Sequence, residues 1–244
     1  MPKKTNAQAG GLYLVNCEYN RANNGIWHAV EVADTSNVRD VGQTERLGGD
    51  RPLAARWRPL PVVVERFRQA GDFFQLDTHH WAASAAALKA LRPLLTGQVE
   101  ALPLKLIADY DQDADYDYDE LPARPKLRER YPRLFALHPL GRVRLGPSAQ
   151  VQNFLDDPDI ISEVHRYAFR PADLDGRHFF RLRGEDYQYL ASEEFRQAVQ
   201  RHGLRGVKFH PIRYDVEEDA PKLARQGRAG AARKSAGRQA RRRT

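Results

Sequence analysis

Short apolar segments that end at turn-forming residues most strongly limit what this chain can fold into. Leu12–Cys17 is an apolar, aromatic run behind Gly10 and Gly11, which predicts a first strand. Residues 27–32 follow a turn signal at 23–25 and are predicted to form a strand that pairs with the first one. Further strands are predicted over residues 61–65, 72–77, 99–107, 187–191 and 206–211.

Two helices are predicted, and each begins after a serine. Ser84 is placed to cap the first helix, and Pro93 is expected to kink or end its last turn because proline lacks a backbone N–H. The leucines of its apolar face are Leu88, Leu91 and Leu95. Ser192 is placed to cap the second helix, and Gly203 is placed to end it.

The net charge of +7 is concentrated at the end of the 244-residue chain. Residues 221–244 contain nine basic residues, no acidic residue and nothing more apolar than alanine after Leu223. Such a segment has little to bury in a core, so we predict a disordered tail rich in Arg and Lys. Residues 1–220 show no repeat, and we predict an α+β fold there, a single mixed domain with short strands and a few helices.

The most unusual segment, residues 109–120, alternates acidic residues with tyrosines. Its acidic positions follow the ligand spacing of a calcium loop, but Ala114 replaces the glycine that such a loop needs, and Pro122 prevents a regular exit helix. A solvated loop held open by charge repulsion and a surface that opposes a basic partner are the alternatives. The candidate partner-binding residues are Asp109, Tyr110, Asp111, Asp113, Asp115, Tyr116, Asp117, Tyr118, Asp119 and Glu120.

Motifs for catalysis or cofactor binding are missing from the sequence, including a serine nucleophile elbow, a phosphate-binding glycine loop and a zinc-protease helix. Cys17 is the only cysteine, which excludes an intramolecular disulfide and predicts a small buried thiol. His79 and His80 are the best metal-ligand candidates, but neighbours on a strand point to opposite faces. We therefore predict no catalytic residue, no metal site and no cofactor.

The expected partners follow from charge and hydropathy. The sequence contains neither an apolar run long enough to span a membrane nor a signal core, which predicts a cytoplasmic protein without a membrane partner. Nucleic acid is an expected partner only through the basic tail, whose alternative role is that of a solubilising extension.

A series of short motifs follows a recognisable order between residues 45 and 212. The first half contains G-G-D at 48–50 with Trp57, G-D-F at 71–73, W-A-A-S at 81–84, L-K-A-L-R-P-L-L at 88–95 and E-A-L-P-L at 100–104. The second half contains H-F-F-R-L at 178–182, Y-L-A-S at 189–192 with Phe195, and G-L-R-G-V-K-F at 203–209. This order resembles an immunity-protein family of bacterial polymorphic toxin systems.

The resemblance implies a non-enzymatic protein that binds a cognate toxin domain and blocks it, which protects the producing cell during bacterial competition. A cytoplasmic antidote implies a toxin that acts in the cytoplasm, such as a nuclease, whose cationic cleft the acidic segment 109–120 would oppose. That segment and the tail depart from the family pattern, so neither inherits a role from it. The alternatives are a nucleic-acid-associated protein that binds through its tail and a metal-dependent hydrolase built on the acidic segment.

Overall fold

The computed structural model describes residues 11–18, 29–32, 46–65, 71–76, 80–110, 131–185 and 187–217. The predicted tail, 221–244, lies outside these residues, so the tail and the domain boundary at residue 220 stay predictions. The described part is a mixed fold rich in strands with few helices, as the sequence predicted.

Fourteen strands are present in the described residues. In chain order they are β1 Leu12–Cys17, β2 Ala29–Val32, β3 Leu60–Glu65, β4 Phe73–Leu76, β5 His80–Ser84, β6 Val99–Tyr110, β7 Leu134–Pro139, β8 Arg142–Val143, β9 Gln150–Asn153, β10 Ile161–Phe169, β11 Phe179–Leu182, β12 Tyr189–Ser192, β13 Val207–Ile212 and β14 Tyr214–Val216. The helices are α1 Ala85–Leu95, α2 Pro171–Leu174 and α3 Glu193–Arg201, with short 3-10 helices at Ala54–Arg56 and Phe154–Asp156.

Six strands form a closed barrel in the order β2-β3-β6-β7-β5-β4. The β3–β6 and β2–β4 pairs are parallel, and the other pairs in the barrel are antiparallel. Buried side chains from adjacent barrel strands pack together, including Val62, Phe74, Ala82, Leu102 and Ala136. Closure gives each of the six strands a hydrogen-bonded neighbour on both sides.

A five-stranded sheet in the order β13-β1-β12-β11-β8 lies beside the barrel. One face of it packs against the three-stranded sheet β14-β10-β9 through residues such as Leu190 and Phe169. The other face packs against α1, α3 and the outer side of the barrel, where Phe179, Tyr189 and Phe195 share one cluster. Because the five-stranded sheet has apolar side chains on both faces, it connects the barrel to the small sheet.

Both predicted helix caps are confirmed. The Oγ of Ser84 accepts a hydrogen bond from the N–H of Ala87 at 3.1 Å, and the Oγ of Ser192 accepts one from the N–H of Phe195 at 3.2 Å. Gly203 follows α3 with a φ of +62°, a left-handed conformation that glycine adopts without steric cost. Local side-chain chemistry therefore sets the ends of these helices.

One expectation was wrong. Strand β2 does not pair with β1, because β2 closes the barrel between β3 and β4, while β1 pairs with β12 and β13 from the other end of the chain. Helix α1 includes Pro93 and ends two residues later at Leu95, in the turn where the sequence predicted its end. Pro93 is exposed, and the N–H of Thr96 still bonds to the carbonyl of Arg92, so the missing donor removes one bond without ending the helix.

The segment 47–54 crosses from the five-stranded sheet to the barrel, and side chains hold its backbone. Nη2 of Arg181 donates to the carbonyl oxygens of Leu47 at 2.7 Å and Gly49 at 3.0 Å, and Nη2 of Arg142 donates to that of Gly48. Nε2 of His138 donates to the carbonyl of Arg51 at 2.9 Å.

The end of this segment is held from the opposite direction. The carboxylate of Glu100 accepts hydrogen bonds from the N–H of Leu53 at 2.6 Å and that of Ala54 at 3.2 Å. Trp57, just beyond, donates from its indole nitrogen to the carbonyl of Pro103 at 2.9 Å. Trp57 thus anchors this connection on the barrel.

Replacing Arg181 with methionine tests this arrangement. Arg181→Met leaves the buried carbonyl oxygen of Leu47 and the partly buried one of Gly49 without their donor, so the free energy of unfolding should fall by about 3 kcal/mol in urea denaturation. Arg183→Met, two residues further along, is the control, and its exposed side chain should change stability by less than about 0.5 kcal/mol. Equal effects of both substitutions would show that the buried guanidinium does not hold the segment.

Candidate functional site

The connection between β9 and β10, residues 154–160, exposes large apolar side chains and is called here the hairpin tip. Phe154 is 53% exposed, Leu155 is 85% exposed, and Ile160 is also exposed. Val151 on β9 and Tyr187 in the turn before β12 complete the set of large hydrophobic residues exposed in the described part of the chain. Their concentration around one hairpin and the neighbouring turn is typical of a protein-binding surface.

The hairpin tip has a defined backbone conformation. The N–H of Phe154 donates to the carbonyl of Ile160 at 2.9 Å, and the N–H of Asp157 donates to the carbonyl of Phe154 at 2.9 Å. The carboxylate of Asp157 accepts from the N–H of Asp159 at 2.9 Å. The apolar side chains therefore project from a hydrogen-bonded turn.

The tip rests on the turn that joins β11 to β12. The N–H of Ile161 donates to the carbonyl of Gly184 at 2.7 Å. Gly184 has a φ of +82°, and a Cβ at this position would lie 2.7 Å from the carbonyl oxygen of Asp159. Only glycine fits this conformation and this close approach, so Gly184 sets the distance between the tip and the turn.

Buried Glu185 shapes the rest of that turn. Its carboxylate accepts hydrogen bonds from the N–H of Tyr187 at 3.0 Å and from the N–H of Gln188 at 2.6 Å. These two bonds fix the backbone from which the exposed ring of Tyr187 projects.

Leu155 combines the greatest exposure of these residues with backbone strain. Its φ of 48° and ψ of 38° place it in the left-handed region, which costs a residue with a Cβ about 1 to 2 kcal/mol. In the described residues, Leu155 alone adopts a positive φ without being glycine. A strained, exposed leucine is difficult to explain by stability and is typical of a functional position.

A second surface, on α3, is polar and serves the fold. Nε of Arg196 donates to the Glu193 carboxylate at 2.8 Å, and the guanidinium carbon of Arg196 lies 5.2 Å from the ring centre of Tyr13. Hydrogen bonding from Arg196 lowers the pKa of Glu193 to about 2, so this pair stays charged across the neutral range. The cluster fixes the first turn of α3 on β1.

Cys17 lies at the end of β1 and is partly buried, and its Sγ lies 3.7 Å from the carbonyl oxygen of Gly206. Burial raises the pKa of its thiol to about 12. The thiol is therefore protonated at neutral pH, which is the opposite of an activated nucleophile.

The sequence-predicted candidates have different outcomes. His80 is buried in β5, and His79 lies outside the described residues. The described part of the chain brings together no group of three His, Cys, Asp or Glu side chains that could hold a metal ion. Asp109 and Tyr110 are the last residues of β6. The other proposed partner-binding residues, Asp111, Asp113, Asp115, Tyr116, Asp117, Tyr118, Asp119 and Glu120, lie outside the described residues, so that site stays a prediction.

The sequence reasoning missed the hairpin tip, although a signal was present. Phe154 and Leu155 stand next to each other between Asn153 and the run Asp-Asp-Pro at 156–158. Two large apolar residues inside a turn-forming sequence have no core to enter, which predicts exposure.

The raised pKa of Cys17 gives a direct test by alkylation at pH 8. The folded protein should react with iodoacetamide at least about tenfold more slowly than the chain unfolded in urea, because only the thiolate reacts and burial suppresses it. Mass spectrometry measures the rate. A native rate equal to the unfolded rate would contradict the buried, protonated thiol.

The strain at Leu155 is tested with a pair of substitutions. Asparagine tolerates the left-handed region better than leucine, so Leu155→Asn should raise the free energy of unfolding by up to about 1 kcal/mol. Leu155→Ala removes the side chain but keeps the conformational cost, and it should stay close to the unmodified protein. Urea denaturation measures the free energy of unfolding of both variants. If the asparagine variant is less stable than the alanine variant, the backbone at Leu155 is not strained.

Among the helices that the structure describes, none has the length and apolar character needed to cross a membrane.

No curated protein matches the chain. The family comparison extends over residues 147–214, so the resemblance in residues 45–146 stays a prediction. The matched residues contain β9 to β13, the hairpin tip, α2 and α3. Residues 147–214 match the immunity protein family (Imm11), which confirms the resemblance to an immunity protein family seen in the sequence.

Proposed function

We propose that this chain is an immunity protein that binds a cognate toxin domain of a bacterial polymorphic toxin system and neutralises it by occlusion, without catalysis. The match of residues 147–214 to an immunity protein family carries the proposal. The proposed site of action is the cytoplasm, where the toxin would attack a target such as nucleic acid.

The hairpin tip is the proposed contact with the toxin. It lies within the residues matched to the family. Its residues Phe154 and Leu155 are 53% and 85% exposed. A few well-packed anchor residues that enter a partner pocket supply most of the binding energy in protein interfaces. A stable complex of ordinary size buries about 1,200 to 2,000 Å² in total, so the tip would form the centre of a larger contact.

The defined backbone conformation of the hairpin tip favours tight binding. Its hydrogen bonds and its contact with Gly184 already hold the anchor side chains on a defined backbone. Less conformational entropy is lost on association when the binding loop is preorganised.

The acidic segment 109–120 is a second proposed contact. It continues from the end of β6, where Asp109 and Tyr110 lie. If the toxin is a nuclease with a cationic cleft, this charge would accelerate association, and the effect would weaken as salt rises.

Co-expression with a candidate toxin, taken as the product of the gene immediately upstream, tests the proposal. The toxin alone should kill the cells, and the toxin with this chain should permit growth and yield a complex on co-purification. Continued killing, or survival without any complex, would overturn the proposal of neutralisation by binding.

Substitutions at the tip test the proposed contact within that complex. Phe154→Ala combined with Leu155→Asn should weaken the Kd by about 100-fold, because both anchors are lost while the tip keeps its fold. Lys89→Ala combined with Arg201→Ala, at exposed positions on α1 and α3, is the control and should leave the Kd within about twofold. Isothermal titration calorimetry measures both, and equal affinities of the two double variants would remove the tip from the interface.

Neutralising the acidic segment tests the second contact separately. Asn substitutions at Asp109, Asp111 and Asp113 should slow association and flatten its salt dependence, with little effect on dissociation. Unchanged association rates would exclude this segment from the interface.

A further inference from the structure

A cleft of about 680 Å³ lies beside the hairpin tip and is called here the arginine cleft. Arg142, Arg144 and Arg183 line it, together with Asp50 and Asp159. Ile160 lines the same cleft and also belongs to the tip, so the apolar surface and the charged surface are continuous.

Strand register explains why the arginines meet. β8 and β11 are parallel, and Arg142 lies beside Arg181 in the ladder. The next bond of the ladder runs from the N–H of Arg183 to the carbonyl of Val143 at 2.9 Å, which places Arg144 and Arg183 close together just past the strand ends.

The two arginine pairs have different surroundings. Arg142 and Arg181 donate to the carbonyl oxygens of segment 47–54, so backbone dipoles stabilise their charges. Arg144 and Arg183 are exposed, and neither forms an ion pair with a carboxylate in the part of the chain that the structure describes. Two adjacent like charges repel each other, which is a cost that an anionic ligand would remove.

We infer that the arginine cleft binds a carboxylate side chain of the toxin, next to the pocket that receives the hairpin tip. This inference rests on the proposed function and specifies the toxin surface as an acidic group beside an apolar pocket. An exposed arginine pair binds a carboxylate through paired hydrogen bonds, which sets the orientation of the partner.

The neighbouring tip favours a protein over a nucleic acid as the ligand. Phe154, Leu155 and Ile160 expose apolar surface directly beside the cleft. Phosphate backbones gain little from apolar contact, whereas protein interfaces combine apolar anchors with charged rims.

Charge reversal in the full-length chain tests the inference with the upstream toxin as the probe. Arg144→Glu combined with Arg183→Glu should weaken the Kd by at least about tenfold and reduce its salt dependence. The control, Lys89→Glu combined with Arg201→Glu, makes the same change in net charge on α1 and α3, across the five-stranded sheet from β9 and β10, and should change the Kd by less than about threefold.

A milder pair separates charge from geometry and protects the test against misfolding. Arg144→Lys combined with Arg183→Lys keeps both charges but loses the planar donor pairs, so its affinity should fall between those of the unmodified and charge-reversed proteins. Thermal unfolding checks that each variant folds. Charge reversal in the toxin, from an acidic residue to lysine, should restore binding to the glutamate variant.

Several results would overturn the inference while leaving the proposed function in place. In the first, the unmodified chain binds the toxin, and the Arg144→Glu, Arg183→Glu variant binds it as tightly as the unmodified chain or as tightly as the control variant. A variant that loses binding to a labelled oligonucleotide, yet keeps its full affinity for the toxin, would identify the cleft as a nucleic-acid site instead. Failure of the unmodified chain to bind the toxin would refute the proposed function itself, before any variant is compared.

Discussion

The buried guanidinium of Arg181 is the interaction on which the arrangement of this protein depends. Arg181 is 1% exposed, and it binds two carbonyl oxygens of the segment that leads into the barrel. Its guanidinium carbon also lies 5.5 Å from the ring centre of Tyr189, which packs against Trp81 of the barrel. A buried cation is tolerated only where such partners replace water, so the barrel and the five-stranded sheet are held in one relative position.

That position determines the surface that is proposed to bind the toxin. Arg181 lies on β11, and the turn that follows this strand contains Arg183 and Gly184. Gly184 accepts a backbone hydrogen bond from Ile161 and lies close to the carbonyl of Asp159, so the hairpin tip rests on the turn that follows the strand with the buried cation. A continuous set of backbone contacts thus connects the interior to the exposed apolar residues, and it allows strain at Leu155 to persist.

Local patterns predicted the elements of the fold better than their partners. Ser84 and Ser192 were identified as caps because the cap bond depends on residues only three positions apart. The pairing of β1 with β12 and β13 joins residues separated by most of the chain, and no local pattern contains that information. The turn-forming residues around Phe154 and Leu155 predict that these side chains are exposed, but their position against Gly184 depends on tertiary contacts.

By itself, the sequence determined the strand-rich mixed composition of the fold, the helix ends and the resemblance to an immunity family, because each is a matter of residue order over short distances. Tertiary structure alone decided that β2 closes a barrel, that Arg142 and Arg181 hold segment 47–54, and that Arg144 and Arg183 meet beside the hairpin tip. These features arise where strands distant in sequence align. The register of those strands is set by the packing of both faces of the five-stranded sheet.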